Sequence, residues 1–215
     1  MSRSLSLSSV LLFCLLPSGC ALLTKSEPVV PRYFSPELAE SPPRAKKAPD
    51  GSKLSLRLGR VGGSSYLKER MVYRDSNHEF GFYEDRRWTE RPEVYLQRAL
   101  ETSLFEAGGM RRSLSSTAPT LTAELVEFEE VRGPVPHVRL RVTYALHDEQ
   151  IVFFERTVAF ERPLGGGLEA ARPDRVAAAL GDALEEAVSR VTGDVAAALA
   201  STEVRNSEGG SVSAH

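Results

Sequence analysis

Pro136-His137-Val138-Arg139-Leu140-Arg141-Val142-Thr143-Tyr144-Ala145-Leu146 alternates apolar and polar side chains. Val138, Leu140, Val142 and Tyr144 fall on one side of an extended chain, and Arg139, Arg141 and Thr143 on the other. A period of two marks a half-buried strand. The polar turn His147-Asp148-Glu149-Gln150 leads into Ile151–Glu161, which is richer in apolar residues. These two strands are expected to form an antiparallel hairpin with one solvated face. Just upstream, Thr120–Glu130 alternates Leu121, Ala123 and Leu125 against Thr122 and Glu124, a third strand.

Downstream, Leu164-Gly165-Gly166-Gly167 is a loop, and Pro173 opens the longest helix. Val176, Leu180, Leu184, Val188, Val191, Val195 and Leu199 recur at steps of three and four, a stripe suited to packing on a sheet. Residues 205–215 read as a disordered tail, Ser- and Gly-rich from Asn206.

Toward the N-terminus, Lys53–Val61 sets Leu54, Leu56 and Leu58 against Ser55, Arg57 and Gly59, a strand broken by Gly62-Gly63-Ser64-Ser65. Glu69–Arg74 is the next strand, and His78–Tyr83 pairs with it as a hairpin. Glu84-Asp85-Arg86-Arg87-Trp88 leads into a helix with Pro92 in its first turn. Leu96, Leu100 and Leu104 share one face of that helix, and Gly108-Gly109 ends it. Val30–Phe34 is a first short strand, followed at 35–52 by a Pro-rich loop carrying Arg44, Lys46 and Lys47. The sum is an α+β, single two-layer domain over residues 30–204, a mainly antiparallel sheet with two helices packed on one face.

The first residues follow another logic. Arg3, the apolar run Val10–Leu16 and the small residues before Cys20 form the three parts of a secretory signal, residues 1–19. The run is too short to cross a bilayer, which takes roughly 20 apolar residues. Leu16-Pro17-Ser18-Gly19-Cys20 resembles the lipobox of bacterial lipoproteins. That resemblance implies cleavage before Cys20, lipidation of its thiol, acylation of the new N-terminus, and a tether over 20–29. Ala21, not Asp, follows the cysteine, which by the sorting rule of enteric bacteria implies the periplasmic face of the outer membrane. The other cysteine, Cys14, lies within the signal, so the mature domain has no disulfide to rely on.

A net charge of −2 with 26% charged residues gives no concentrated basic face, against a nucleic-acid partner. His78, His137 and His147 stand apart, with no spacing for a metal, and no cofactor motif is present. Gly165-Gly166-Gly167 lacks the Lys-Ser/Thr of a phosphate loop. Glu127, Glu129 and Glu130 read as solvated acids at a strand end, and the chain as a non-enzyme.

One region is more specific. Tyr66–Ser76 contains Val72-Tyr73-Arg74, and Glu79–Pro92 ends in Trp88-Thr89-Glu90-Arg91-Pro92 before the helix of Leu96, Leu100 and Leu104. This resembles the ABC-type transport auxiliary lipoproteins, in which an Ile/Val-Tyr-Arg strand is followed by Trp-x-x-x-Pro. The resemblance implies an accessory role in an ABC system working with a mammalian-cell-entry-type (MCE) protein, moving lipids or other hydrophobic molecules between membranes. It also implies a homo-oligomeric ring, as relatives form. A direct lipid carrier and a structural envelope lipoprotein are the competing readings. Tyr73, Arg74, Trp88 and Pro92 are the marked residues, either at an interface rich in aromatics and arginines or as a packing corner with Arg74 paired to Glu84 or Asp85.

Overall fold

A computed structural model describes residues 28–36, 54–76, 78–166 and 172–209. Residues through Val30 form one unit, and Pro31 onward another. In the second unit the elements are β1 (Arg32–Phe34), β2 (Ser55–Gly63), β3 (Arg70–Arg74), β4 (Phe80–Trp88), α1 (Pro92–Glu101) with a π-helical extension (Thr102–Ala107), β5 (Arg111–Arg112), β6 (Thr120–Val131), β7 (His137–His147), β8 (Val152–Pro163) and α2 (Pro173–Gly209).

β6 organises the sheet. β7 runs antiparallel along its whole length on one side, and β8 continues antiparallel beyond β7. The other side of β6 is shared. Its first half pairs in parallel with β2, and Glu129–Val131 pairs in parallel with β3. β4 lies antiparallel to β3, with β1 parallel outside it, and β5 borders β2. The longest ladders are thus antiparallel, and the α+β reading holds in a mixed eight-stranded sheet.

Alternation explains the two layers. On β7, Val138, Leu140, Val142, Tyr144 and Leu146 are buried, while the residues between them are half-exposed. α2 packs across β6, β7 and β8; α1 packs on β2 and β6; the two helices touch. No residue of the Val176–Leu199 stripe is more than 5% exposed. Burying such a side chain contributes about 1.5–3 kcal/mol. Ala183 and Ala187, fully buried between the larger residues, let α2 lie close.

α1 starts at Pro92, where a missing N–H costs nothing. Arg91 gives no side-chain cap. The Tyr95 hydroxyl serves this end of the helix instead, accepting from the Glu90 N–H at 2.9 Å and meeting Thr89 Oγ1 at 2.7 Å. Leu96, Leu100 and Leu104 have no exposure. The helix then widens over Thr102–Ala107, where the Gly108 N–H bonds the Ser103 carbonyl at 2.8 Å. Ser103 Oγ meets Thr192 of α2 at 2.9 Å. The left-handed residue that follows is Gly109 (φ 65), not Gly108.

Three expectations change. β4 does not end at Tyr83: Glu84–Trp88, which does lead into α1, is the second half of that strand, because Arg87 pairs with Arg70 and Arg86–Trp88 pairs with β1. β2 does not break at Gly62, since Gly62 and Gly63 pair with Glu124 and Leu125. α2 continues through Gly209 rather than stopping near residue 204. The signal segment, Cys20, most of the Pro-rich loop and residues 210–215 lie outside the described residues.

Candidate functional site

The marked residues lie around the corner where β3 and β4 meet β6, and strand alternation sends them to different places. Arg74 faces the solvated side of the sheet. Its Nε lies 2.6 Å from Glu129 Oε1, and its Nη2 donates to Oε2 at 3.2 Å. Glu129 has no exposure, so the pair is one charge buried under another. Neither Glu84 nor Asp85 is its partner in this pair, contrary to the sequence reading. Tyr66 and Phe80 close over the same spot, with ring centroids 5.2 Å apart. The Tyr66 hydroxyl donates to the Val126 carbonyl at 2.8 Å. Burial first, and the Glu129 charge second, push the Tyr66 hydroxyl up to about 12.

Tyr73, one residue earlier, faces the other side. Its ring lies 3.5 Å from the Arg132 guanidinium carbon and packs on Tyr83 at 4.8 Å. Arg132 grips Asp75 through two bonds of 2.6 and 2.7 Å. Those bonds hold the Asp75 carboxyl below the usual carboxylate range. Gly81 sits opposite Tyr73, and a Cβ there would overlap the tyrosine ring. Small size at Gly81 is therefore what admits the ring.

Glu130 shares the helix-covered face with Phe128 and is 3% exposed. Tyr83 Oη donates to its carboxylate at 2.8 Å, and Arg86 Nη1 stands 3.7 Å away. Burial raises the Glu130 carboxyl above its ordinary value against the pull of Tyr83 and Arg86. Burial and Glu130 push Tyr83 up to about 12, which keeps it a donor at neutral pH. Trp88 is buried between Phe128 and Tyr95, at 5.1 and 6.4 Å. Pro92 is buried at the start of α1.

The structure thus brings Tyr73, Arg74, Trp88 and Pro92 into one corner without making them one surface. Glu129 and Glu130, read from the sequence as solvated, are its anchors. Buried acids at consecutive positions on β6 clamp the β3–β4 hairpin from both faces. The signal that locates them is Arg74 on the partner strand, with Arg139 and Arg141 across β7 from Glu129 and Glu127. Among the described residues, no three His, Cys, Asp or Glu groups are placed to hold a metal ion, and no helix is long and apolar enough to cross a membrane.

The sequence pattern of the ABC-type transport auxiliary lipoprotein component matches residues 37–196, from the Pro-rich segment to the later turns of α2. The chain belongs to this family. The clamp of Arg74, Glu129, Tyr83 and Glu130 lies within the family's span. Solved structures share the fold. A protein from Xanthomonas campestris superposes with a TM-score of 0.65 at 17% identity, covering 80% of this chain and 99% of its own. An uncharacterized protein superposes with a TM-score of 0.57 at 14% identity, covering 77% and 99%. A minor lipoprotein from Acinetobacter baumannii is similar at 15% identity and a TM-score of 0.43, covering 66% and 92%. No curated protein sequence matches the chain.

Proposed function

We propose that this auxiliary lipoprotein is anchored through lipid on Cys20 to the periplasmic face of the outer membrane. There it serves as the non-enzymatic accessory of an MCE-type ABC system that moves lipids or other hydrophobic molecules between the two membranes. The family match over residues 37–196, downstream of a lipobox-like Ser18-Gly19-Cys20, carries this reading. Several acyl chains on one terminus anchor stably where a single chain binds only marginally. The domain then acts by docking. The buried acids of the β3–β4 corner, Glu129 and Glu130, are taken up by Arg74 and Tyr83, which suits a rigid binding element. Assembly of several copies into a ring around the MCE partner belongs to the same proposal.

Fractionation of cells expressing the full chain tests the anchor. The wild type is expected in the outer-membrane fraction with an acylated N-terminal peptide at Cys20. Cys20→Ser is expected to leave it. An unmodified Cys20 in the mature protein would overturn the anchor. A direct lipid carrier is the second reading, and lipid co-purifying with the protein in the absence of any protein partner would favour it.

A further inference from the structure

We propose that the free edge of β8 is a self-association site, at which a second copy of this chain adds its own β8 antiparallel about a two-fold axis through Thr157. β8 is twelve residues long and, among the described residues, pairs with β7 alone. Edge strands in monomers are usually short, bulged, lysine-bearing or covered. Here the one bulge lies at the start, between Val152 and Phe154; from Phe154 to Pro163 the ladder with β7 has no register shift, and the proline is the last residue. The start of the edge is apolar and open, with Ile151 54% and Val152 63% exposed.

The order of residues along β8 says what fits. In the register centred on Thr157, Phe154 meets Phe160 of the second copy and Arg156 meets Val158, both on the helix-covered face, where these residues lie opposite Leu146, Leu140, Tyr144 and Val142 of β7. On the solvated face, Thr157 meets Thr157 and Glu155 meets Ala159. No like charges stand directly opposite, and aromatic and Thr–Thr cross-strand pairs are favourable. Moving the register by one residue along each strand sets Glu155 against Glu161. The charged side chains are also tied back inside their own copy. Arg156 pairs with Asp194 at 2.7 Å, Arg162 with Glu186, and Glu161 with Arg139 at 3.1 Å. Thr157 is already bonded to Thr143 at 2.9 Å, so its position at the axis is set. A two-fold contact of this kind is isologous, so it joins copies in pairs and is distinct from the contact that would build a ring.

The test uses the full chain in detergent, with Cys14→Ser and Cys20→Ser so that an added cysteine is the lone thiol. Thr157→Cys is expected to give a covalent dimer with a short thiol cross-linker, while Glu185→Cys, on the exposed side of α2, is expected not to. In the cysteine-free chain, Thr157→Arg is expected to weaken self-association at least tenfold by sedimentation with unchanged circular dichroism. A monomeric unmodified chain, equal cross-linking at both positions, or a larger assembly whose cross-links bypass residue 157 would each overturn the proposal.

Discussion

Arg74 and Glu129 sit on adjacent parallel strands, β3 and β6, and their 2.6 Å contact buries a carboxylate completely within the sheet. Removing one partner of such a pair strands the other charge, which costs about 3–5 kcal/mol. Arg74→Ala is therefore expected to lower the urea midpoint far more than Arg139→Ala. The partner of Arg139, Glu161, is 57% exposed, and a solvated pair contributes less than about 1 kcal/mol. Equal losses in the two variants would contradict a buried clamp.

Glu130, on the opposite face, makes a pH-dependent prediction. Burial raises its carboxyl in the fold, so the fold favours the protonated form. Its stabilising contribution is then complete below its unfolded value of about 4.3 and is lost as pH rises through the raised folded value. Glu130→Gln should be more stable than the wild type at neutral pH, with the gap closing as pH falls toward and below that unfolded value. Urea midpoints of both proteins across this range check it. A gap that widens on acidification would contradict it. Tyr83→Phe, which removes the hydroxyl serving the buried carboxylate, is expected to cost about 1–3 kcal/mol.

Two glycines in α2 should respond in opposite directions. Gly193 has open space where a Cβ would go, so Gly193→Ala should raise stability by about 0.5–1 kcal/mol. A Cβ on Gly181 would run into the Pro36 carbonyl oxygen, so Gly181→Ala should destabilise despite alanine's better helix propensity. Thermal unfolding of the two variants decides this. A gain at both positions would show that Pro36 does not press on α2.

Trp88 joins α1 to the sheet through Tyr95 and Phe128. Trp88→Ala is expected to cost about 3–5 kcal/mol by removing a fully buried ring. Leu114→Ala, at a 91% exposed loop position, is expected to change stability by less than about 0.5 kcal/mol. Denaturant titration of both gives the comparison.

Periodicity made much of this fold legible. The stripes Val138–Leu146, Leu96–Leu104 and Val176–Leu199 each bury the side that their spacing marks, because period alone decides which side chains share a face. Sequence failed where partners come from far along the chain. Glu84–Trp88 has no strand-like alternation, and pairing with β1 and β3 makes it one. Glu129 reads as a solvated acid until β3 delivers Arg74 to it from fifty-five residues upstream. The π-helical turn at Thr102–Ala107 has no compositional mark. At the candidate corner, Tyr73, Arg74, Trp88 and Pro92 were visible as a motif, whereas their division between two faces and a buried core appears only once β4 is extended through Trp88.

Affinity capture of the full-length protein from detergent-solubilised cell envelopes, with mass spectrometry of what is retained, tests the central claim most directly. An MCE-domain protein and its ABC components, retained together with a chain acylated at Cys20, is the predicted result. An acylated chain that retains lipid but no transport component would contradict the accessory role.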